Sequence, residues 1–394
     1  MIDERMYGLG NAPSAIRELF AYGLKRKAEI GEDKVFDYSI GNPSVPAPQK
    51  VADTIEELMK LPPVELHAYS PAAGIPAVRQ TIADSIARRY GIPAKAGRVY
   101  MTVGAAASIA ISLGAVTNAG DEVIVPSPYF PEYKVWIETM DCSIVEVPTQ
   151  VPSFQLDVEA MGAAINEKTA AVIINSPNNP SGAVYSAETL RQMADMLLQK
   201  EKEFGHEIWL ISDEPYREIA FDGKQVPYAS LFYPRTISCY SFSKSLSVPG
   251  ERIGYVAVNP ESGVSAMLVN MCGQISRGIG HNCPSSVIQL AAADCCDLTS
   301  DLSVYETNMN ILYDALTDLG FDIVRPGGTF YLFPKALEDD AAAFSKKALP
   351  YGLILVPSDS FGVPGYFRIA FCTDTEKVVR SIDAFKKFVK AEYR

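Results

Sequence analysis

Between about Arg98 and Asn259 the chain switches repeatedly between two hydrophobic periods, and this alternation constrains the fold more than any other feature. The runs Val123-Ile124-Val125, Ala171-Val172-Ile173-Ile174 and Ile208-Trp209-Leu210-Ile211 are apolar at consecutive positions, the pattern of strands covered on both faces. Between them lie helical stretches such as Ala187 to Phe204, with Leu190, Met193, Ala194 and Leu197 at helical spacing. Strands alternating with helices predict βαβ units, and so an α/β fold whose mostly parallel sheet is flanked by helices. Thr236 to Tyr240 and Ile253 to Val258 are further strand candidates.

After about residue 300 the texture changes. A helical stretch, Tyr305 to Leu319, precedes short strand candidates at Ile323-Val324, Phe330 to Phe333, Leu353 to Val356 and Tyr366 to Phe371. A closing amphipathic helix carries Val378, Ile382, Phe385 and Val389 on one face. This predicts a smaller α+β domain. The proline-rich stretch Asn42 to Pro48 reads as an extended connection. The first forty or so residues are expected to pack with the C-terminal part. The expected division is a large domain over residues 47–280 and a small one built from 1–46 and 281–394.

Charge and composition remove several function classes. With 35 Lys and Arg against 47 Asp and Glu in 394 residues, the formal charge is −12. A chain this acidic, without a basic block, is not expected to hold nucleic acid or an anionic membrane, so any anion must be met by local donors. No stretch approaches the roughly 20 apolar residues of a membrane span. The opening Ile2-Asp3-Glu4-Arg5 lacks an apolar signal core. Seven cysteines, an odd count with several in apolar runs, read as reduced thiols. The expected compartment is the cytoplasm. The three histidines, His67, His206 and His281, stand at no metal-ligand spacing, so no metal site is expected. Neither a Gly-x-Ser-x-Gly elbow nor a phosphate loop ending in Gly-Lys-Ser/Thr is present, and no Gly-x-Gly-x-x-Gly falls between strand and helix.

The informative segment is Ser241-Phe242-Ser243-Lys244-Ser245, directly after an apolar strand and eight residues before Arg252. Most lysines in serine-rich loops are solvated surface charges, which is the default reading. Against it, strand ends of parallel sheets are where ligands bind, and hydroxyls with a guanidinium suit a phosphate. A lysine beside a phosphate site suggests a Schiff base to a phosphorylated aldehyde, as in pyridoxal phosphate enzymes. Such a cofactor needs a carboxylate to keep its pyridine nitrogen protonated. Asp213, in Ile211-Ser212-Asp213-Glu214-Pro215-Tyr216, ends an apolar strand and meets that need; a turn-initiating Asp is the alternative. Asn178-Asn179-Pro180-Ser181-Gly182 is a turn signal that also places an amide at the same edge. Gly104-Ala105-Ala106-Ala107-Ser108 opens a helix-prone run, where small residues serve either a phosphate at a helix N-terminus or tight packing.

As a set, these residues resemble the fold-type I, class I/II aminotransferases, from about Ser14 to Phe371. The Asn-Pro-(Thr/Ser)-Gly pattern stands at Asn179 to Gly182, Asp-x-x-Tyr at Asp213 and Tyr216, and Ser-x-Ser-Lys with its arginine at Ser241, Ser243, Lys244 and Arg252. The resemblance implies a pyridoxal 5′-phosphate enzyme moving an amino group between an L-amino acid and a 2-oxo acid by a ping-pong mechanism, with residues 47–280 as the cofactor-binding domain. It makes Lys244 the Schiff-base lysine and proton carrier, and Asp213 the partner of the pyridine nitrogen. Tyr216 and Asn179 bond the phenolic oxygen. Gly104, Ala105, Ala106, Ser241, Ser243 and Arg252 hold the phosphate, and Phe130 stacks on the ring, with Tyr129 as second choice. Core packing is the ordinary alternative for either aromatic.

The resemblance further implies that Arg368 grips the substrate α-carboxylate with Gly41 and Asn179, where a structural ion pair is the alternative. It implies that Tyr69 reaches the phosphate of a second subunit, making a homodimer with shared sites. Where many aspartate-preferring relatives carry a cation in the phosphate loop, this chain has Ala106; Arg277 is a replacement from either subunit, unless it is simply a surface arginine. The same ring-holding residues would serve a C–S β-lyase or a decarboxylase. A cofactor-sensing regulator would need a DNA-binding domain, and a resemblance beginning near Ser14 is expected to leave no length for one. Side-chain specificity is expected to come from loops, from Tyr7 to Phe20, and from a partner subunit.

Overall fold

A computed structural model describes residues 2, 4–11, 15–93 and 95–394. Ser14, the start of the resemblance, lies outside them. The strands are β1 (Phe36–Asp37), β2 (Val99–Thr102), β3 (Glu122–Ser127), β4 (Ser143–Pro148), β5 (Thr169–Asn175), β6 (Trp209–Asp213), β7 (Thr236–Ser241), β8 (Gly254–Val258), β9 (Tyr331–Leu332), β10 (Leu353–Ile354), β11 (Val356–Pro357) and β12 (Phe367–Ala370).

Seven of them form one sheet in the order β2-β8-β7-β6-β5-β3-β4, parallel except for β8, which runs against both neighbours. The α/β expectation holds, and the consecutive apolar runs are explained by two faces that are both covered. On one face Val125, Ile173, Ile211 and Ile237 pack with the helices Ala105–Val116 and Ser265–Gly278. On the other, Ile124, Val172 and Leu210 meet Leu190, Met193 and Leu197 of the helix Ala187–Phe204. Each such side chain contributes about 1.5–3 kcal/mol of burial. That helix begins where Ser186 accepts a hydrogen bond from the Thr189 N–H at 3.0 Å, and ends at Gly205 with φ 73°. The edge strand β4 has mixed burial and was not foreseen, because one exposed face removes the continuous apolar signal.

The C-terminal region carries a three-stranded sheet, β11-β12-β9, and the parallel pair β1–β10, which ties the chain near residue 36 to the C-terminal part. Two expectations need correction. The Leu353 to Val356 run splits into β10 and β11, which pair with different partners. Ile323-Val324 forms no strand. The segment leads instead into Gly327 and Gly328, whose N–H groups both donate to the Gly182 carbonyl and so brace the Asn179–Gly182 turn. The last helix, Thr375–Tyr393, buries Val378, Phe385, Phe388 and Val389, while Ile382 is only half-buried. All seven cysteines are free thiols.

This topology positions the site. Strands β2, β5, β6 and β7 run the same way, so Thr102, Asn175, Asp213 and Ser241 all finish at one edge of the sheet, where parallel α/β folds leave their ligand crevice.

Candidate active site

At that edge lies a cavity of about 420 Å³. Twelve sequence-predicted residues meet in its wall: Gly41, Ala105, Ala106, Phe130, Asn179, Asp213, Tyr216, Ser241, Ser243, Lys244, Arg252 and Arg368. They come from positions as far apart as 41 and 368, so the fold assembles them. Gly104 stands just behind the wall. Tyr69 is fully exposed and Arg277 is held by Gln274 on the surface; neither lines the cavity of its own chain.

Lys244 sits in the one-turn helix Phe242–Ser245 that follows β7, with the Ser241 hydroxyl accepting the Ser243 N–H at 3.2 Å as its cap. Its Nζ donates to the Gly41 carbonyl at 2.8 Å, and no carboxylate accepts from it among the bonds of the described residues. Burial, with the Arg252 and Arg368 charges nearby, pushes its amine down to about 8. A poorly solvated lysine without an anionic partner is primed as a nucleophile and proton carrier.

Asp213 ends β6 in a fully enclosed position. Its Oδ2 accepts from the Tyr133 hydroxyl at 2.5 Å and from Asn175 Nδ2 at 3.5 Å, whereas buried Oδ1 has no hydrogen-bond partner. Burial pushes the carboxyl up to about 7; the Tyr133 hydrogen bond pulls the other way and the Glu214 charge adds to the rise. A buried, unsatisfied carboxylate oxygen costs free energy unless a donor or a positive charge arrives. Behind it the buried Arg217 guanidinium donates to Glu214 Oε2 at 2.9 Å and to the Tyr255 hydroxyl at 3.0 Å, and faces the Tyr240 ring at 4.3 Å. This cluster clamps the turn from Asp213 to Tyr216.

Arg368, on β12, reaches across to Asn179 and to the first sheet-edge loop. Nη1 donates to Asn179 Oδ1 at 3.1 Å, Nη2 donates to the Ser39 carbonyl at 2.6 Å, and buried Nε is unpartnered. Its plane lies between Tyr331 and Phe361, at 4.5 and 5.1 Å from their centroids. Among the described residues no carboxylate pairs with it, so the structural ion pair is not what holds it. Tyr216 and Tyr331 share a hydrogen bond at 3.2 Å between their hydroxyls. The opposite end carries Arg252, held by the Pro249 carbonyl at 3.0 Å, beside the start of the helix Ala105–Val116. A Cβ at Gly104, where φ is 98°, would stand 2.8 Å from Arg252 Nη2, so a side chain there would crowd the cation. Phe130 lines the cavity, whereas the Tyr129 hydroxyl is spent on Glu146 at 2.9 Å.

Tyr133, Asn175, Tyr331 and Arg217 were missed in the sequence. Tyr133 and Tyr331 read as core aromatics; Asn175 carried a signal, a polar residue closing an apolar strand three residues before the Asn178-Asn179 turn begins. Among the described residues no cluster of His, Cys, Asp or Glu could hold a metal ion, and no helix is long and apolar enough to cross a membrane.

An enclosed lysine, an isolated carboxylate oxygen and a caged arginine at the edge of such a sheet define a site for small anionic molecules reacting at an amine. The model of the aminotransferase class I and II family matches residues 33–385, and the chain belongs to that family. It is 31% identical to aromatic-amino-acid aminotransferase 2 of Thermococcus litoralis and 31% identical to the aspartate aminotransferase of Pyrococcus abyssi, in each case over 96% of both chains. Among solved structures, an aminotransferase from Eubacterium rectale superposes with a TM-score of 0.97 at 46% identity over the whole of both chains. The aspartate aminotransferase of Thermus thermophilus with maleate gives 0.87 at 25% identity, over 98% of this chain and 99% of that one. The activity is therefore transamination, in a family dependent on pyridoxal phosphate, and the protein is an enzyme that transfers nitrogenous groups.

Proposed function

We propose that the cavity binds pyridoxal 5′-phosphate at Lys244 and moves the amino group of an L-amino acid to a 2-oxo acid in two ping-pong half-reactions. The observation that carries this reading is Asp213 Oδ1, a buried acceptor without a donor, in the same cavity as an enclosed lysine whose amine is pushed down to about 8. The residues fit the cofactor. Asp213 Oδ1 suits a protonated pyridine nitrogen, since a cation there would offset the cost of ionising a buried carboxyl. Arg252, Ser241, Ser243 and the N–H groups of Ala105 and Ala106 beside Gly104 suit the phosphate. Phe130 offers a face for the ring, and Tyr216 and Asn179 are donors for its phenolic oxygen.

Bound there, the cofactor supplies an aldehyde to receive the amino group and a ring to accept the electron pair of the substrate α-carbon. The protein's share is binding and proton movement. Lys244 Nζ anchors the cofactor and, once displaced by the donor amine, carries the proton from the α-carbon. Arg368, stacked and pre-aimed, takes the α-carboxylate in place of part of its contact with Asn179 and the Ser39 carbonyl. Gly41 meets the same carboxylate through its backbone.

The reading extends to assembly. The cofactor-binding domain extends from about residue 47 past the expected boundary at 280, because the helix Ser286–Asp294 packs on it through Ala292 and, just beyond, Cys295 against Val99 and Tyr255; the chain up to about residue 46 and the part after about residue 300 make the small domain. Two copies share their sites through Tyr69, whose full exposure in its own chain supports a role in the neighbour's. The free thiols support a cytoplasmic home. Relatives named for aspartate and for aromatic amino acids bracket the donor side chain. Replacing Lys244→Ala is expected to abolish turnover together with the absorbance band of lysine-bound cofactor. A mutant that kept the band would remove Lys244 from the role.

A further inference from the structure

Setting aside the residues assigned to cofactor and α-carboxylate, much of the remaining cavity wall is apolar: Ile16, Ile40, Trp136 and the ring of Tyr331. Ile16 comes from the helix Ala15–Ile30 and Trp136 from the helix Glu132–Thr139, so two elements distant in sequence close over the same space. The charges in the wall are uneven. Lys244, Arg252 and Arg368 are its only cationic residues among those described, and all three already have roles. The one carboxylate besides Asp213 is Glu132. Glu132 Oε1 accepts from Arg17 Nη2 at 3.3 Å, and Arg17 itself does not line the cavity; its side chain is 78% exposed on the rim. The pair therefore presents its acidic member inward and its basic member to solvent. Arg277, the other arginine with a claim, is outside the wall of its own chain.

We propose that the side-chain subsite of this enzyme selects donors with large neutral, aromatic or branched apolar side chains, and that Glu132 is the specificity-determining residue that turns away a second carboxylate. The inference rests on the aminotransferase reading of the site and adds the substrate class. A distal carboxylate entering this wall would lose its water, find no cation of the same chain to spare, and face Glu132; an aromatic ring would lose water it does not need and stack against Trp136 and Tyr331.

The test uses the full-length holoenzyme and two readouts. In single-turnover mixing, L-phenylalanine is expected to convert the cofactor to its amine form with kcat/KM about tenfold or more above that for L-aspartate. In calorimetric titration of the same holoenzyme, the unreactive 3-phenylpropionate is expected to bind more tightly than maleate. Glu132→Gln, which removes the repulsion while keeping the shape of the side chain, is expected to narrow both ratios by raising the dicarboxylate side. Aspartate and maleate preferred in the unaltered enzyme would overturn the inference while leaving amino transfer intact, and so would ratios that Glu132→Gln leaves unmoved. Failure of every donor to convert the cofactor would instead remove the aminotransferase reading, and the inference with it.

Discussion

The Tyr133 hydroxyl donates to Asp213 Oδ2 at 2.5 Å, beneath the cavity floor and out of reach of solvent. One carboxylate oxygen is thereby occupied from below, aided by Asn175, and the other is left alone to face a ligand. The hydrogen bond also lowers the pKa of Asp213 against the rise caused by burial. Tyr133→Phe keeps the ring in its packing with Phe130 and Trp136 and deletes only the donor. Loss of a hydrogen bond to a charged group costs about 1.5–3 kcal/mol, so kcat is expected to fall roughly ten- to a hundredfold. The carboxyl pKa should rise, and the pH at which the bound cofactor changes its absorbance should shift with it. Unchanged kcat and an unchanged spectral titration would show that Tyr133 does not tune Asp213.

Lys244 gives a second expectation, on pH. Only the neutral amine attacks an aldehyde, and burial pushes this one down to about 8. Capture of added pyridoxal phosphate by the cofactor-free protein should accelerate as pH rises toward 8 and level off above it. An ordinary lysine would keep gaining to about 10.4. Stopped-flow absorbance between pH 6 and 10 separates the two; a rate still climbing at pH 10 would mean that the amine is not desolvated.

The parts of this site legible in the sequence are those in which neighbouring residues act together. Ser241, Ser243 and Lys244 occupy one turn after β7, and Asp213 and Tyr216 one turn after β6, so both the chemistry and the strand that presents it are local. Arg368 was named only through the family resemblance, because a cation inside an apolar strand could by itself equally have been a structural ion pair. Tyr133, Tyr331 and Arg217 were not legible, since each acquires its meaning from a partner distant in space or from a buried cage of tyrosines. The same limit explains Ile323-Val324. Two β-branched residues favour extended chain, but whether a strand forms depends on a neighbour with free backbone groups, and here the following glycines are drawn to Gly182 instead.

Asp213 also sets an expectation for the cofactor-free protein. Its folded-state pKa of about 7 lies above the unfolded value near 3.9, so between pH 4 and 7 the native state keeps a proton that the unfolded chain has released. The sign follows: this residue lowers stability progressively as pH rises through that window, by roughly 1.4 kcal/mol per unit at most, and no further above 7. Asp213→Asn removes the effect. Denaturant unfolding at pH 5 and 7.5 should therefore show the mutant gaining on the unaltered protein at the higher pH. Parallel changes in the two proteins would mean that Asp213 ionises freely in the empty cavity.

Gly41 ties the two halves of the site together, because its carbonyl accepts from Lys244 Nζ while its Cα abuts Tyr331. A Cβ built there would collide with the Tyr331 hydroxyl and come within 2.8 Å of Phe330 Cε2. Neither ring has room to withdraw: both are buried, Tyr331 stacks on Arg368, and its hydroxyl meets that of Tyr216. Gly41→Ala should therefore move Tyr331 and, through it, the Arg368 guanidinium proposed to orient the substrate. The expected result is a KM for the amino donor raised about tenfold or more, since a displaced bidentate contact forfeits geometry as well as energy. Tyr331→Phe removes the colliding oxygen, so in the double variant the penalty of Gly41→Ala should shrink, a coupling that a double-mutant cycle measures directly. Strictly additive effects in that cycle would show that the alanine acts elsewhere, through the carbonyl that receives Lys244.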